Sequence, residues 1–199
     1  MRFLASGTFA PWLSSRALGI ACATSLLLGC GGASAGGKNA SRPLPAYAGH
    51  ATELFDDDIE PRAVGIDLSM TPQVGSPRSD PMLRERTQVG DAVVRARIDT
   101  VTAKNDGVDA RYDLGLRTLE KLAGEHGPGE NFAVRIEQRS PSANIVKNFQ
   151  DRLGGRVFIM FVREFVRPDG DTELHFHAAP DDKDVAGAVH DAAAMLPGR

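Results

Sequence analysis

Cysteine is nearly missing from this sequence. There are two in 199 residues, Cys22 and Cys30, too few for a disulfide scaffold or a four-cysteine metal knot. Tryptophan and tyrosine are scarce too, with Trp12 near the N-terminus and Tyr47 and Tyr112 as the two tyrosines. That scarcity argues against a carbohydrate-stacking platform and against the aromatic rows on which single-stranded nucleic acids lie. No apolar run reaches the roughly 20 residues that cross a bilayer as a helix. Charge of one sign is also lacking, since 23 Lys and Arg face 26 Asp and Glu for a net −3, which withholds the basic surface that a phosphate backbone recruits. No Gly-x-Ser-x-Gly elbow, Gly-x-x-x-x-Gly-Lys loop or His-Glu-x-x-His pair is present, so no motif writes a reaction into the chain. What remains, 42% hydrophobic and 25% charged, is an ordinary globular composition.

The N-terminal stretch differs from the rest. Arg2 and Arg16 are its only charges before Lys38, and no acid precedes Glu53. Ala17 to Leu28 is a mostly apolar run of the size of a signal-peptide core, roughly 7 to 15 residues. The run ends in Leu27-Leu28-Gly29-Cys30, which resembles the lipobox of bacterial lipoproteins, where small or aliphatic residues precede an obligatory cysteine. The resemblance covers this segment alone. It implies that the thiol of Cys30 takes a diacylglyceryl group, that residues 1–29 are removed as a signal, and that the new terminus anchors the protein to a membrane through its acyl chains. Because Gly31 rather than Asp follows the cysteine, the same resemblance favours the outer membrane where an envelope has two. Cleavage there would remove Arg2 and Arg16 but no acid, and would leave no free thiol for catalysis, metal ligation or disulfides. Anchoring by acyl chains, at about 0.8 kcal/mol per buried methylene, needs no spanning helix.

Residues 30–50, rich in Gly, Ser, Ala and Pro without apolar period, read as a flexible tether. Residues 51–89 read as an extended arm, with a short helix started by the Asp80 cap and Pro81. The main domain is expected over 90–199.

Within it, Val94, Ala96 and Ile98 alternate with Arg95, Arg97 and Asp99, predicting a half-buried strand. Asn105-Asp106-Gly107 is a turn signal, and the leucines of 110–122 suit a second strand. Phe132, Val134 and Ile136 predict a third. Ser140 and Ser142 then offer caps to a helix with Ile145, Phe149 and Leu153 on its buried side, ending at Gly154-Gly155. Arg156 to Val166 is apolar on both faces as far as Val162, which predicts a strand covered on two sides. A hairpin at Pro168 to Asp171 leads to a fifth strand with Leu174, Phe176 and Ala178 on one face and His175 and His177 on the other. A last helix follows, capped by Asp181 or Asp182, with Val185, Val189 and Leu196 on its apolar side.

Three strands, a helix and two strands is the element order of the OB-fold, so the expected class is mainly β (α+β). The expected architecture is a small five-stranded OB-like antiparallel barrel with one inserted helix and a C-terminal helix. The same elements also suit an open antiparallel sheet with two helices on one face.

The expected function is a lipid-anchored lipoprotein of the cell envelope acting as a non-enzymatic binding or assembly module. Its partners would be the membrane and another envelope protein, with no nucleic acid and no cofactor. Arg95, Arg97, Asp99, Arg135, Glu137 and Arg139 mix signs and read as a solvated face with cross-strand ion pairs. His175 and His177, two apart on a strand, project from one face as a solvent-facing stripe, or serve a metal-binding protein or metal-dependent hydrolase if His190, Asp181, Asp182 or Asp184 adds a ligand. Asp56-Asp57-Asp58 with Glu60 lacks the spacing and glycine of an EF-hand loop and reads as a solvated acidic loop. A third reading places an apolar ligand beneath Val185, Val189 and Leu196.

Overall fold

The computed structural model describes residues 42–66, 75–105 and 110–196, all within the unit Arg42–Arg199. Six strands form one curled, mixed sheet: β1 (Asp58–Ile59), β2 (Ala92–Asn105), β3 (Ala110–Gly124), β4 (Asn131–Ile136), β5 (Val157–Val166) and β6 (Thr172–Pro180), in the order β1-β6-β5-β2-β3-β4. All neighbours are antiparallel except β1, which runs parallel to β6. The α-helices are α1 (Ala51–Leu54), α2 (Pro81–Val89), α3 (Ala143–Leu153) and α4 (Lys183–Ala194), with 3₁₀ turns at Pro61–Val64 and Pro77–Ser79.

Strand β5 sets the layering. Phe158, Met160 and Val162 join the concave core with Val94, Ala96 and Ile98 of β2, Phe176 and Ala178 of β6, and α3. Ile159, Phe161 and Phe165 face the opposite way, into a second core with Leu54, Phe55 and the α4 residues Val185, Ala188 and Val189. A strand apolar on both faces needs cover on both, at roughly 25 cal/mol per Å² of apolar surface removed from water, and the helices supply it. Among the described residues the space beneath Val185 and Val189 is filled by this packing, both side chains being 2% exposed or less, so the expected apolar ligand cavity is not found there.

Local signals place the helices. Asp80 accepts a hydrogen bond from the Met82 N–H at the start of α2, and Asp182, rather than Asp181, accepts one from Val185 at the start of α4. Helix α3 departs from expectation. Its backbone is non-helical at Phe149, and the buried positions are Ala143, Val146 and Leu153 instead of an Ile145, Phe149, Leu153 stripe. The curl comes from β2 and β3, whose ladder shifts register between Val93 and Val94, Arg95 and Ala96, and Ile98 and Thr100. Such bulges bend a strand and increase its twist.

The expected five-stranded closed antiparallel barrel needs correction. A sixth strand is present, it is parallel, and no ladder joins β4 to β6. The physical reason is occupancy of the outer edge of β6. Asp57 N–H donates to Phe176 O, Glu60 N–H donates to Ala178 O, and Asp58 and Ile59 lie in register with His177 and Ala178. That occupancy leaves β6 only the stretch around Leu174 to face β4. Asp58 and Ile59, expected in a solvated acidic loop, are therefore part of the sheet, and the alternative of two helices on one face fails because α3 and α4 cover opposite faces.

One glycine tests the geometry of the bend. Gly124 closes β3 at φ +90°, and a Cβ there would lie 2.3 Å from the Asp91 carbonyl oxygen and 2.4 Å from Ala92 Cα. Gly124→Ala is expected to lower stability by more than about 1 kcal/mol in urea unfolding. Gly129→Ala, where the new methyl meets only Asn131 O at 3.8 Å, should stay within about 0.5 kcal/mol. Equal effects at the two sites would show that the close approach at Gly124 is not a constraint.

Candidate functional site

The chemically capable side chains gather where β1 meets β6. Strand alternation sends Phe176 and Ala178 into the concave core and His175 and His177 to the other face, as the sequence pattern implies. The histidines are not a solvent-facing stripe, however: His175 is 8% and His177 5% exposed. The acidic segment ahead of β1 covers them, so the solvated acidic loop is corrected as well.

Asp57 organises the cover. It has φ 54°, a left-handed conformation that aspartate tolerates better than most residues. In that conformation it holds Phe176 twice, donating its own N–H to the carbonyl (2.9 Å) and accepting the Phe176 N–H at Oδ1 (3.2 Å). Its Oδ2 lies 2.8 Å from His175 Nδ1. The His175 ring is stacked on Tyr47 at 3.5 Å between centroids, with Phe165 edge-on at 5.6 Å. Tyr47 donates its hydroxyl to Phe55 O at 2.6 Å. Burial, and then the nearby Asp57, Asp56 and Glu173 carboxylates, push the Tyr47 phenol well above its ordinary value, so it remains a donor.

His177 has its own partners. Nδ1 is 2.9 Å from Asp56 Oδ1 and Nε2 is 3.5 Å from Glu60 Oε1. Asp58, its register partner, accepts the Ser142 hydroxyl at 2.8 Å, while the same oxygen of Ser142 accepts the Ile59 N–H. Ser140 donates to Asp57 O at 2.8 Å. Neither serine caps α3 through its hydroxyl, which is what their positions before a helix suggest; both instead secure the edge strand.

Desolvation opposes charge throughout the cluster, and the hydrogen bonds decide how far it succeeds. Burial would push the His177 imidazole down, but Asp56 and Glu60 outweigh it and hold the group above 6.5. Burial would raise Glu60, but the hydrogen bond and charge of His177 bring it below the ordinary value. Burial prevails at Asp57, despite His175, and at Asp58, despite Ser142, so both carboxyls are raised.

The other residues singled out in the sequence lie apart. Asp181 pairs with Arg95 at 2.7 Å, Asp182 caps α4, and His190 and Asp184 are exposed on α4. Cys30 lies outside the described residues. Asp56, Asp57, Glu60, Ser142 and Tyr47 are the partners that sequence reasoning did not attach to the histidines. The available signal was a histidine pair in alternation together with an acidic run, and what joins them is a parallel pairing across more than a hundred residues. The mixed-sign face forms ion pairs, Arg97 with Asp99 at 2.8 Å and Arg117 with Asp99 at 3.1 Å.

Concavities flank the cluster, one of them, of about 280 Å³, lined by Asp57, His175 and Arg135. A cleft of about 530 Å³ opens beside the Tyr47–His175 stack, lined also by Phe165, Val166 and Arg167. A groove of about 440 Å³ follows the unclosed seam between Ala133 and Arg135 of β4 and Thr172, Glu173 and Leu174 of β6. Thr118 N–H bonds to Glu130 O, so by antiparallel alternation Ala133 and Arg135 turn their backbone groups away from β3. Phe176 is held from outside by Asp57, so Leu174 likewise turns its backbone away from β5. Among the described residues no helix is long and apolar enough to cross a membrane. No protein-family model matches the chain, and no curated protein matches it.

Asp57→Ala leaves the Phe176 N–H and His175 without their buried acceptor and is expected to cost about 3 kcal/mol, read by urea unfolding. A loss under 1 kcal/mol would remove Asp57 from the clamp. The raised His177 sets the sign of a pH dependence: its contribution is full below about 6.5, the unfolded value, and is lost as pH rises through the higher folded value. In chelator-treated buffer the melting temperature should therefore fall above pH 6.5, and His177→Gln should flatten that part of the curve. A wild-type curve that rises over the same range would contradict the pairing.

Proposed function

We propose that the chain is an exported lipoprotein, acylated at Cys30 and held in a bacterial cell envelope, whose β domain is a non-enzymatic binding or assembly module. The observation that carries the anchoring is Leu27-Leu28-Gly29-Cys30 after an apolar run led by Arg2 and Arg16. In an envelope with two membranes the residue after the cysteine, Gly31, favours the outer one.

The geometry supports binding over catalysis. His175 and His177 are buried and engaged with Asp57 and with Asp56 and Glu60, so neither stands free as a general base at a substrate cleft. His175 also borders the cleft beside Tyr47, but the concavity with exposed strand edges is the seam groove, where the backbone groups of Ala133, Arg135 and Leu174 are turned outward between Arg135, Arg167 and Glu173. Free strand edges with charged flanks suit an extended segment of another envelope protein. At a finer level we read the domain as an OB-like barrel left open at one seam. Three strands, a helix and two strands follow one another, and the first of these, β2, pairs with both β3 and β5.

In cells of a lipoprotein-processing bacterium, the N-terminal peptide of the mature protein should begin at an acylated Cys30 by mass spectrometry, and cross-linking from the envelope should recover one recurrent partner. Cys30→Ala should shift the protein from the membrane to the soluble fraction. An unmodified Cys30, or membrane retention of the variant, would overturn the anchor. Cross-links scattered without a recurrent partner would overturn the assembly role.

A further inference from the structure

We propose that Asp56, Asp58 and His177 form a binding site for one first-row divalent cation of the zinc or manganese class. The inference stands on the β1–β6 junction and is independent of the anchoring at Cys30. One ligand atom from each of the three residues lies within 4.8 Å of the others. Donors at 2.0–2.2 Å from a common ion sit about 3 to 3.5 Å apart at tetrahedral or octahedral angles, so a small rotation of the two carboxylates brings the set onto one centre.

The fold explains why these three converge. Asp58 is the register partner of His177 in the parallel β1–β6 pair. Ile59 and Ala178 beside them enter the concave core, so Asp58 and His177 share the opposite face. Asp56 arrives from the preceding loop and already touches Nδ1 of the imidazole. His177 is therefore a buried nitrogen donor, its side chain 7% exposed, with ligand atoms of two carboxylates within 4.8 Å, and Asp56, at 28%, leaves the site a path to solvent.

Two ligands are also braced from behind. Glu60 Oε1 lies 3.5 Å from His177 Nε2, the carboxylate-to-imidazole contact that fixes the ring of a metal-binding histidine. The fully buried Ser142 donates to Asp58 Oδ1 at 2.8 Å, which orients the second carboxylate. Arg62 pairs with Glu60, and the buried Arg86 guanidinium donates to the carbonyls of Leu54 and Glu53, so neither arginine ion-pairs with Asp56 or Asp58, and a bound cation shares the acidic cluster with the Arg86 charge. A cation in the cluster takes the place of the proton on Nδ1, which leaves to solvent. The imidazole in the set favours zinc over calcium or magnesium, whose ligands are oxygens, and the two carboxylates also suit manganese. His175 is outside the set, its Nδ1 held by Asp57 and its ring stacked on Tyr47.

The test uses the full chain in detergent, stripped with chelator and then titrated with zinc or manganese alone by equilibrium dialysis. One ion should bind per chain at micromolar metal. Asp58→Asn and His177→Gln should each abolish that binding, and Glu60→Gln should weaken it by about tenfold or more. His190→Gln, on the exposed side of α4, should leave it unchanged. Asp56→Asn, at the partly exposed ligand, keeps the test decisive if the buried variants unfold. Bound manganese should broaden the imidazole resonances of His177 and spare those of His190. No binding at micromolar metal, or stoichiometric binding that survives Asp56→Asn and Asp58→Asn in folded protein, would overturn the site.

Discussion

The outer edge of β6 offers one row of backbone groups, and the segment from Asp57 to Glu60 takes the part of it nearest the end of the strand. That single pairing determines the rest of the architecture. It adds a parallel strand to an otherwise antiparallel sheet and places carboxylates over two histidines. It also leaves only the Leu174 end of the β6 edge facing β4. The contact depends on Asp57 accepting a left-handed backbone, which lets one residue clamp Phe176 by both main chain and side chain. Local strain of this kind persists only where surrounding contacts over-determine it, and here Ser140, His175 and Phe176 all hold the same residue.

Much of the sheet was legible because its signals are local. The alternation of Val94, Ala96 and Ile98, the two-faced apolar run of β5, and the caps at Asp80 and Asp182 all report their own surroundings. The junction was not legible for the opposite reason. Strand β1 is two residues long and has no periodicity to read. The partners of the two residues before it lie 118 and 121 positions away in the Asp57–His175 and Asp56–His177 pairs. Three consecutive aspartates have the composition of a solvated loop, and only tertiary pairing with imidazoles makes their burial tolerable. The histidines were placed correctly on their strand face, and what escaped was the segment that covers that face.

Chemistry and stability draw on the same groups at this junction. Each carboxylate there answers a backbone N–H, a hydroxyl or an imidazole, so the polar cluster is a fastening for the edge strand as well as a set of donors. The seam groove is the complementary consequence. Because β6 is engaged at one end only, its other end and the outer edge of β4 face each other across a groove bridged by the Arg135–Glu173 ion pair. A fully closed sheet would have no such edge to offer.

The position of β1 in the chain also sets an order of assembly. Synthesis delivers Asp56, Asp57 and Asp58 well before Phe176 and His177 exist, so during elongation these acids have neither His175 nor His177 to meet and no β6 edge to join. Contacts of such long sequence separation repay their loop-closure entropy last. The β2–β3 ribbon, joined by a short connection, can form first, and the fold locks only after Pro180 has emerged. A chain shortened by its last two strands would keep its acidic segment and lose the strand edge and the two imidazoles that it pairs with.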